Sequence, residues 1–166
     1  MMMPQVRSAT LQDIPTIQSL SRDIWSKAYE KMISPEQMSY MLNWMYSTES
    51  LTRQFSEGHQ FLIVEVNLNT PLGYASYQLL SPNRWKLEKL YVQVEKHRQG
   101  LGKLFVQNIL GRIRKNGGTH LELQVNRANP AVGFYDRQGF RIIREEDFDI
   151  GNGFSMNDYI MEKTLD

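Results

Sequence analysis

The chain is predicted to be α+β: a mixed, mostly antiparallel sheet flanked by helices. Three observations predict it. Apolar residues recur at three- and four-residue steps through the first third of the 166 residues, the signature of helices with one buried face. Near Phe61 the pattern changes to short β-rich runs separated by turn residues, as strands require. After Val94, amphipathic helical stretches are again interleaved with strands, which places helices on the faces of one sheet.

Element by element, Gln5 to Ala9 reads as a short strand and Asp13 to Lys31 as a helix carrying Ile14, Ile17, Leu20, Ile24 and Ala28 on one face. Ser34-Pro-Glu-Gln37 opens a second helix: Ser34 as N-cap, Pro35 at the first position and Gln37 three residues after the cap. That helix carries Met38, Met41, Leu42, Trp44 and Met45, and a shorter one around Ser50 to Glu57 ends at Gly58. Phe61 to Val66 is a strand, Asn67 to Gly73 a hairpin turn, Gly73 to Leu80 the returning strand and Trp85 to Val94 a third, longer one. The helix with Leu101, Leu104, Phe105, Ile109 and Ile113 on its apolar face stops at Gly117-Gly118. LELQV is a strand, NPAVGFYDRQG a short helix, and FRIIREEDFDI and GFSMNDYIMEKTL are the last two strands.

Composition excludes several classes of function. Lys plus Arg is 19 and Asp plus Glu 18, so the basic excess that non-specific nucleic-acid binding wants is missing. No cysteine is present, which removes disulfides, thiolate metal sites and cysteine nucleophiles together. His59, His97 and His120 have no metal-ligand spacing, so no metal is expected. No apolar run approaches the roughly 20 residues of a membrane helix, and MMMPQVRSAT lacks the basic-then-apolar order of a secretory leader. A cytoplasmic protein folded as one domain over 1–166, without nucleic-acid or membrane partners, is the expectation.

The stretch HRQGLG, His97 to Gly102, joins a predicted strand to a predicted helix. A glycine-rich turn opening a helix leaves backbone N–H groups pointing one way, with the positive end of the helix dipole behind them, and so suits a phosphate. Arg98 and Lys103 flank the turn. A Walker A loop is excluded, because Gly102-Lys103 is followed by Leu104, and a dinucleotide fingerprint is excluded because Phe105 stands where a glycine is needed.

LEKLYVQVEKHRQGLGKLF resembles motif A of the GNAT superfamily of N-acetyltransferases, a strand ending in L-Y-V followed by [QR]-x-x-G-x-[GA]. LQVNRANPAVGFYDRQGF resembles that superfamily's next motif, an L-x-V strand, an Asn, then A-x-x-F-Y-x-x-x-G-F. The two blocks cover Leu87 to Phe140 in the expected order. One position departs from the pattern: His97 stands where the family usually has Gln or Arg. The helical stretch from Ile24 to Ser47 bears a looser likeness to bacterial polyamine acetyltransferases.

The resemblance implies a three-layer acyl-CoA N-acyltransferase fold with about seven strands and four helices. It implies acetyl-CoA as donor, coenzyme A as co-product, and direct transfer to a primary amine of a small molecule, a polyamine among them, or of a peptide. Cofactor contacts are expected from Leu90, Tyr91 and Val92, from His97, Arg98, Gln99, Gly100, Leu101, Gly102 and Lys103, and from Asn129, Phe134 and Tyr135. Tyr135 is expected to protonate the leaving thiolate. Glu88 is the expected base, since alternation puts it on a face with Leu90, Val92 and Val94, where desolvation raises a carboxyl pKa. A surface salt bridge of Glu88 to Lys86 or Lys89, and a base acting through ordered water, stay open. Trp25, Tyr29, Trp44, Tyr74 and Tyr77 are candidates for the acceptor wall, against the default reading of such aromatics as core. Glu30, Glu36 and Glu49 stand as candidates to attract a cationic amine, against the default reading of solvated surface charge. A non-catalytic acyl-CoA sensor and an interaction module with a vacant cleft are the alternatives, and a monomer and a homodimer both stay open.

Overall fold

The computed structural model describes residues 3–67 and 69–165; Leu68, within the predicted hairpin turn, and Met1 and Met2 of the quoted start lie outside them. Seven strands form one sheet: β1 (Gln5–Ser8), β2 (Gln60–Val66), β3 (Thr70–Ser81), β4 (Arg84–Val92), β5 (His120–Asn126), β6 (Arg141–Gly151) and β7 (Phe154–Thr164). The five helices are α1 (Ile14–Ala28), α2 (Pro35–Tyr46), α3 (Thr48–Ser56), α4 (Leu101–Lys115) and α5 (Ala131–Arg137). The sheet order is β1-β2-β3-β4-β5-β7-β6, antiparallel throughout except for the β4–β5 pair. This is the α+β fold predicted, with the five helices read from the sequence, one more than the four the resemblance implied.

Local chemistry sets the boundaries. Before α1, Thr10 and Asp13 form a capping box, and Arg7 grips both oxygens of Asp13 at 2.9 and 3.1 Å. Arg7 also reaches Glu65 on β2, so the cap is tied to the sheet. The helix buries Ile14, Ile17, Leu20, Ile24 and Trp25 but ends at Ala28, short of the predicted Lys31, in a turn over 29–33. Ser34 caps α2 as predicted, its Oγ accepting from the Gln37 amide at 3.1 Å. The Gln37 side chain does not complete the box; it donates to the Ser155 carbonyl instead, fastening α2 to the β6–β7 hairpin. The Tyr40 hydroxyl adds a second tie, donating to the Ile150 carbonyl at 2.7 Å. α4 stops at the predicted glycines: Gly117 takes φ +76°, and the Gly118 amide donates to the Ile113 carbonyl in a Schellman closure.

The sheet separates two cores. On one face α4 packs Leu101, Phe105, Ile109 and Ile113 against Leu87, Leu121, Leu123 and Met161. On the other, α1, α2 and α3 pack Ile17, Ile24, Trp25, Met41 and Leu51 against Phe61, Ile63 and Tyr74. A bulge in the β3–β4 ladder decides which β4 side chain enters which core, because the register shifts between Ser76 and Tyr77 and leaves Glu88 unpaired. Leu87, Leu90 and Val92 all face α4, whereas Lys89 lies over the Tyr46 and Phe61 rings on the opposite face.

Candidate active site

The β4–β5 pair is parallel only from Arg84↔His120 to Leu87↔Leu123, and beyond it the strands part. The Tyr91 carbonyl and the Gln93 amide point toward β3. Alternation therefore turns the backbone groups of Leu90 and Val92 into the fork, where no strand meets them. An extended chain bearing amides can occupy such an edge, since unpaired strand groups are waiting donors and acceptors. Of the predicted trio Leu90, Tyr91 and Val92, the first and third present backbone to the fork. Tyr91 presents its side chain to the other face.

The predicted glycine turn lies at the end of this fork. Arg98 (φ +68°) and Gly100 (φ +79°) both adopt left-handed backbone, coiling the turn before α4. Gly100 carries no side chain to cap the helix, and the first backbone bond inside α4 is from Leu104 to the Gly100 carbonyl. The amides of Leu101, Gly102 and Lys103 are thus left at the positive end of the helix dipole. A Cβ at Gly102 would come within 3.0 Å of the Phe134 ring, so only glycine lets α5 approach this terminus so closely. Arg98, Gln99 and Lys103 are exposed around it. The His97 side chain turns back: its Nε2 lies 2.9 Å from the Val92 carbonyl, tying the turn to the mouth of the fork. These features, a forked strand edge running onto bare helix amides, fit a pantetheine chain ending in a pyrophosphate.

A cluster of hydroxyls lies where the end of α1, β4 and the turn before α5 meet. Tyr29, at the end of α1, donates to the Tyr91 hydroxyl at 3.2 Å and accepts from Asn129 Nδ2 at 3.4 Å. Asn129 Oδ1 meanwhile accepts from the Ala131 amide at 2.8 Å, which starts α5. Tyr135 follows one turn on, buried, its ring edge-on to Phe134 and Phe140. Burial raises its pKa with no hydrogen bond to oppose the rise, and the neighbouring Tyr29 adds to it. Tyr135 therefore remains a protonated donor across the physiological range.

The bulge corrects the face expected for Glu88. Its carboxylate points away from Leu90 and Val92, is paired with Lys86 at 3.1 Å and accepts from Gln78 Nε2. Lys86 in turn donates to Gln124 at 3.0 Å. The salt bridge to Lys86 that was left open in the sequence is present. Lys89 instead donates to Gln54 at 2.7 Å.

The expected acceptor wall is divided. Trp25 and Tyr74 are 2% and 0% exposed, locked in the core with Tyr46 and Tyr91. Tyr77 lies on the opposite face, packed in the α4 core against Trp85. Only Tyr29 reaches the hydroxyl cluster. Glu30, Glu36 and Glu49 are exposed.

Trp44 lines a different feature, a cavity of about 370 Å³ between α2 and the ends of β5, β6 and β7, together with Gln124, Phe148, Asp149, Ile150, Met156 and Asp158. Sequence reasoning missed Asp158. It is 1% exposed, and its Oδ1 has no hydrogen-bond partner. Burial pushes its carboxyl up to about 6, with Arg127 and Lys86 opposing the rise. Its signal in the sequence was a lone acid in SMNDYIM, facing inward one place before the apolar stretch. Among the described residues no cluster of His, Cys, Asp and Glu suits a metal ion, and no helix is long and apolar enough to cross a membrane.

A sheet forked beside a glycine-opened helix has the form of an acyl-CoA cleft, and the class that fits it is an acyltransferase. The family is definite: residues 28–163 match the acetyltransferase (GNAT) domain model, and the chain belongs to the GNAT N-acetyltransferases. It is 26% identical to the spermidine N(1)-acetyltransferase of Thermoplasma acidophilum over 165 residues, covering 96% of each chain. It superposes with a TM-score of 0.83 on the crystal structure of the PaiA N-acetyltransferase from Thermoplasma acidophilum in complex with coenzyme A, at 26% identity over 99% of this chain and 100% of that one. The ribosomal-protein-S18-alanine N-acetyltransferase of Escherichia coli shares the fold at a TM-score of 0.74 and 17% identity, over 98% of this chain and 94% of that one.

Proposed function

We propose that this N-acetyltransferase uses acetyl-CoA to acetylate a primary amine of a small molecule, with a polyamine as the favoured acceptor, in one domain spanning 1–166. The observation that carries the donor is the parting of β4 from β5 after Leu87 directly onto the free amides of Leu101, Gly102 and Lys103. Backbone of Leu90 and Val92 binds the pantetheine amides. The turn from Arg98 to Lys103 takes the pyrophosphate, and Phe134 packs against the arm. The relationship to a spermidine N(1)-acetyltransferase supports the acceptor class.

Catalysis is positioning plus proton management. Asn129 and Tyr29 orient the inner end of the fork, and Tyr135 gives its proton to the departing thiolate. With no cysteine to carry an acyl group, transfer runs directly within a ternary complex. Glu88 is fixed by Lys86 and Gln78 and takes no proton in this scheme.

The test is a panel of amines (spermidine, 1,4-diaminobutane, n-butylamine, an amino acid and an N-terminal peptide) with acetyl-CoA, read by free thiol. The absence of cysteine keeps the protein's own background low. Thiol release with the polyamines above the rest is expected. Binding of acetyl-CoA with no release for any amine would favour a non-catalytic acyl-CoA sensor.

A further inference from the structure

The cavity under α2 holds a group that the proposed chemistry leaves unused. Trp44, Phe148, Ile150 and Met156 give it apolar walls, and Asp158, which also lines it, has an unpartnered Oδ1. A buried carboxylate without a donor costs several kcal/mol unless something arrives to pair with it.

The charges around Asp158 do not satisfy it. From β4, Lys86 is taken by Glu88 and Gln124. Arg127, in the turn after β5, is held by Asp147 at 2.6 Å and uses its Nε on the Asp158 backbone carbonyl, not the carboxylate. From β6, Asp149 also lines the cavity and adds negative charge, while α2 contributes only Trp44. From α1, the Tyr29 hydroxyl feels the Asp158 charge, and Tyr29 in turn acts on Tyr135. The cavity therefore carries an unpaired acid whose charge is felt by the Tyr29 hydroxyl, a member of the hydroxyl cluster.

We propose that Asp158 seats the acceptor: its unpaired oxygen draws the ammonium of a straight-chain alkyl amine into this cavity and takes up one of its protons. The proposal rests on the acetyl-transfer reading above and names the residue and the shape of acceptor that it requires. Trp44, Phe148, Ile150 and Met156 sheathe the methylene chain. Asp149 stands ready for a second cationic group on the same chain. Loss of one proton to Asp158 frees the nitrogen lone pair for the thioester carbonyl, so the C–N bond forms as the C–S bond breaks. The thiolate takes the Tyr135 proton, the second proton leaving nitrogen restores the Tyr135 hydroxyl, and Asp158 sheds its proton to water. Glu88, already paired twice, is a positioning residue for Lys86 and Gln124 in this scheme.

The experiment compares the wild type, Asp158→Asn and Glu88→Gln, with spermidine as the probe, titrated calorimetrically into CoA-saturated protein at pH 5 and pH 7.5. A carboxyl that titrates near 6 is ionised in only about a tenth of molecules at pH 5, so wild-type affinity should fall about tenfold there. Asp158→Asn should bind weakly at both values, with CoA affinity unchanged as the check that it is folded. Glu88→Gln should keep the pH dependence. In turnover, the inflection near pH 6 in kcat/KM for spermidine should vanish in Asp158→Asn only. Wild-type spermidine affinity in Asp158→Asn, an inflection lost in Glu88→Gln instead, or no spermidine binding by the wild type would overturn the proposal. Thiol release with other amines alongside absent spermidine binding refutes the seat alone. Spermidine bound with the expected pH dependence but no thiol released refutes acetyl transfer alone.

Discussion

Lys89 carries a stability penalty that can be removed and measured. Its ammonium is buried, and burial lowers its pKa from the ordinary 10.5 to about 8, against the opposing pull of Glu88. That fall corresponds to about 3 kcal/mol set against the charged form in the folded state. A depressed lysine pKa contributes stability that is complete above 10.5, where the unfolded chain is neutral too, and that is lost as pH falls through about 8. At pH 7 the wild type therefore bears the whole penalty. Lys89→Met removes the ammonium that lies over the Tyr46 and Phe61 rings and replaces it with a thioether, which also packs favourably on aromatic rings. It also strands Gln54 Oε1, which now accepts from Lys89, at a cost of about 1 kcal/mol. The net gain at pH 7 is about 2 kcal/mol, or about 4 to 8 °C in Tm for a chain of this size. Urea unfolding of both proteins at pH 7 and pH 10.5 is the assay. Packing differences between Met and Lys cancel between the two conditions, and the difference should move by about 3 kcal/mol, so that the gain turns into a deficit of about 1 kcal/mol at the higher pH. Equal differences at both pH values would refute a buried, penalised ammonium.

Tyr135→Phe should lower kcat at saturating acetyl-CoA by about 10²- to 10⁴-fold, the usual worth of a general acid, and unchanged turnover would sink that role. Gly102→Ala places a Cβ 3.0 Å from the Phe134 ring. Helix propensity offsets that strain by about 1 kcal/mol, so stability should hardly change while the cofactor binds about tenfold more weakly, as calorimetry can read; unaltered affinity would dismiss the cradle. Gly73→Ala drives its methyl group into the Tyr91 carbonyl, a backbone atom that cannot step aside. It should cost about 2 to 4 kcal/mol in urea unfolding, and a loss below about 1 kcal/mol would contradict that close approach.

Much of the architecture was legible because local rules and tertiary packing agree. The helical faces from Ile14 to Trp25 and from Leu101 to Ile113 are the faces that pack. Ser34 caps where its motif places it, and Gly117-Gly118 ends α4. The glycine turn was legible too, since Gly100 takes left-handed backbone and Gly102 a close approach to Phe134. Less legible was the partition of side chains between faces. Strict alternation puts Glu88 with Leu90, and a single bulge undoes it. Nor does periodicity distinguish Tyr29, which reaches the site, from Tyr74 and Trp25, sealed one layer deeper.

By itself the sequence determined the fold class, the strand and helix order, and the glycine turn that opens α4. Each is written in contiguous residues whose spacing mirrors a local backbone period. Tertiary structure alone decided that β4 and β5 part after four residue pairs, that His97 ties back to Val92, and that Asp158 faces a cavity unpaired. These depend on which distant segments meet, Trp44 with Asp158 or Tyr29 with Asn129. The free energy of a charge depends on what surrounds it rather than on its neighbours in the chain.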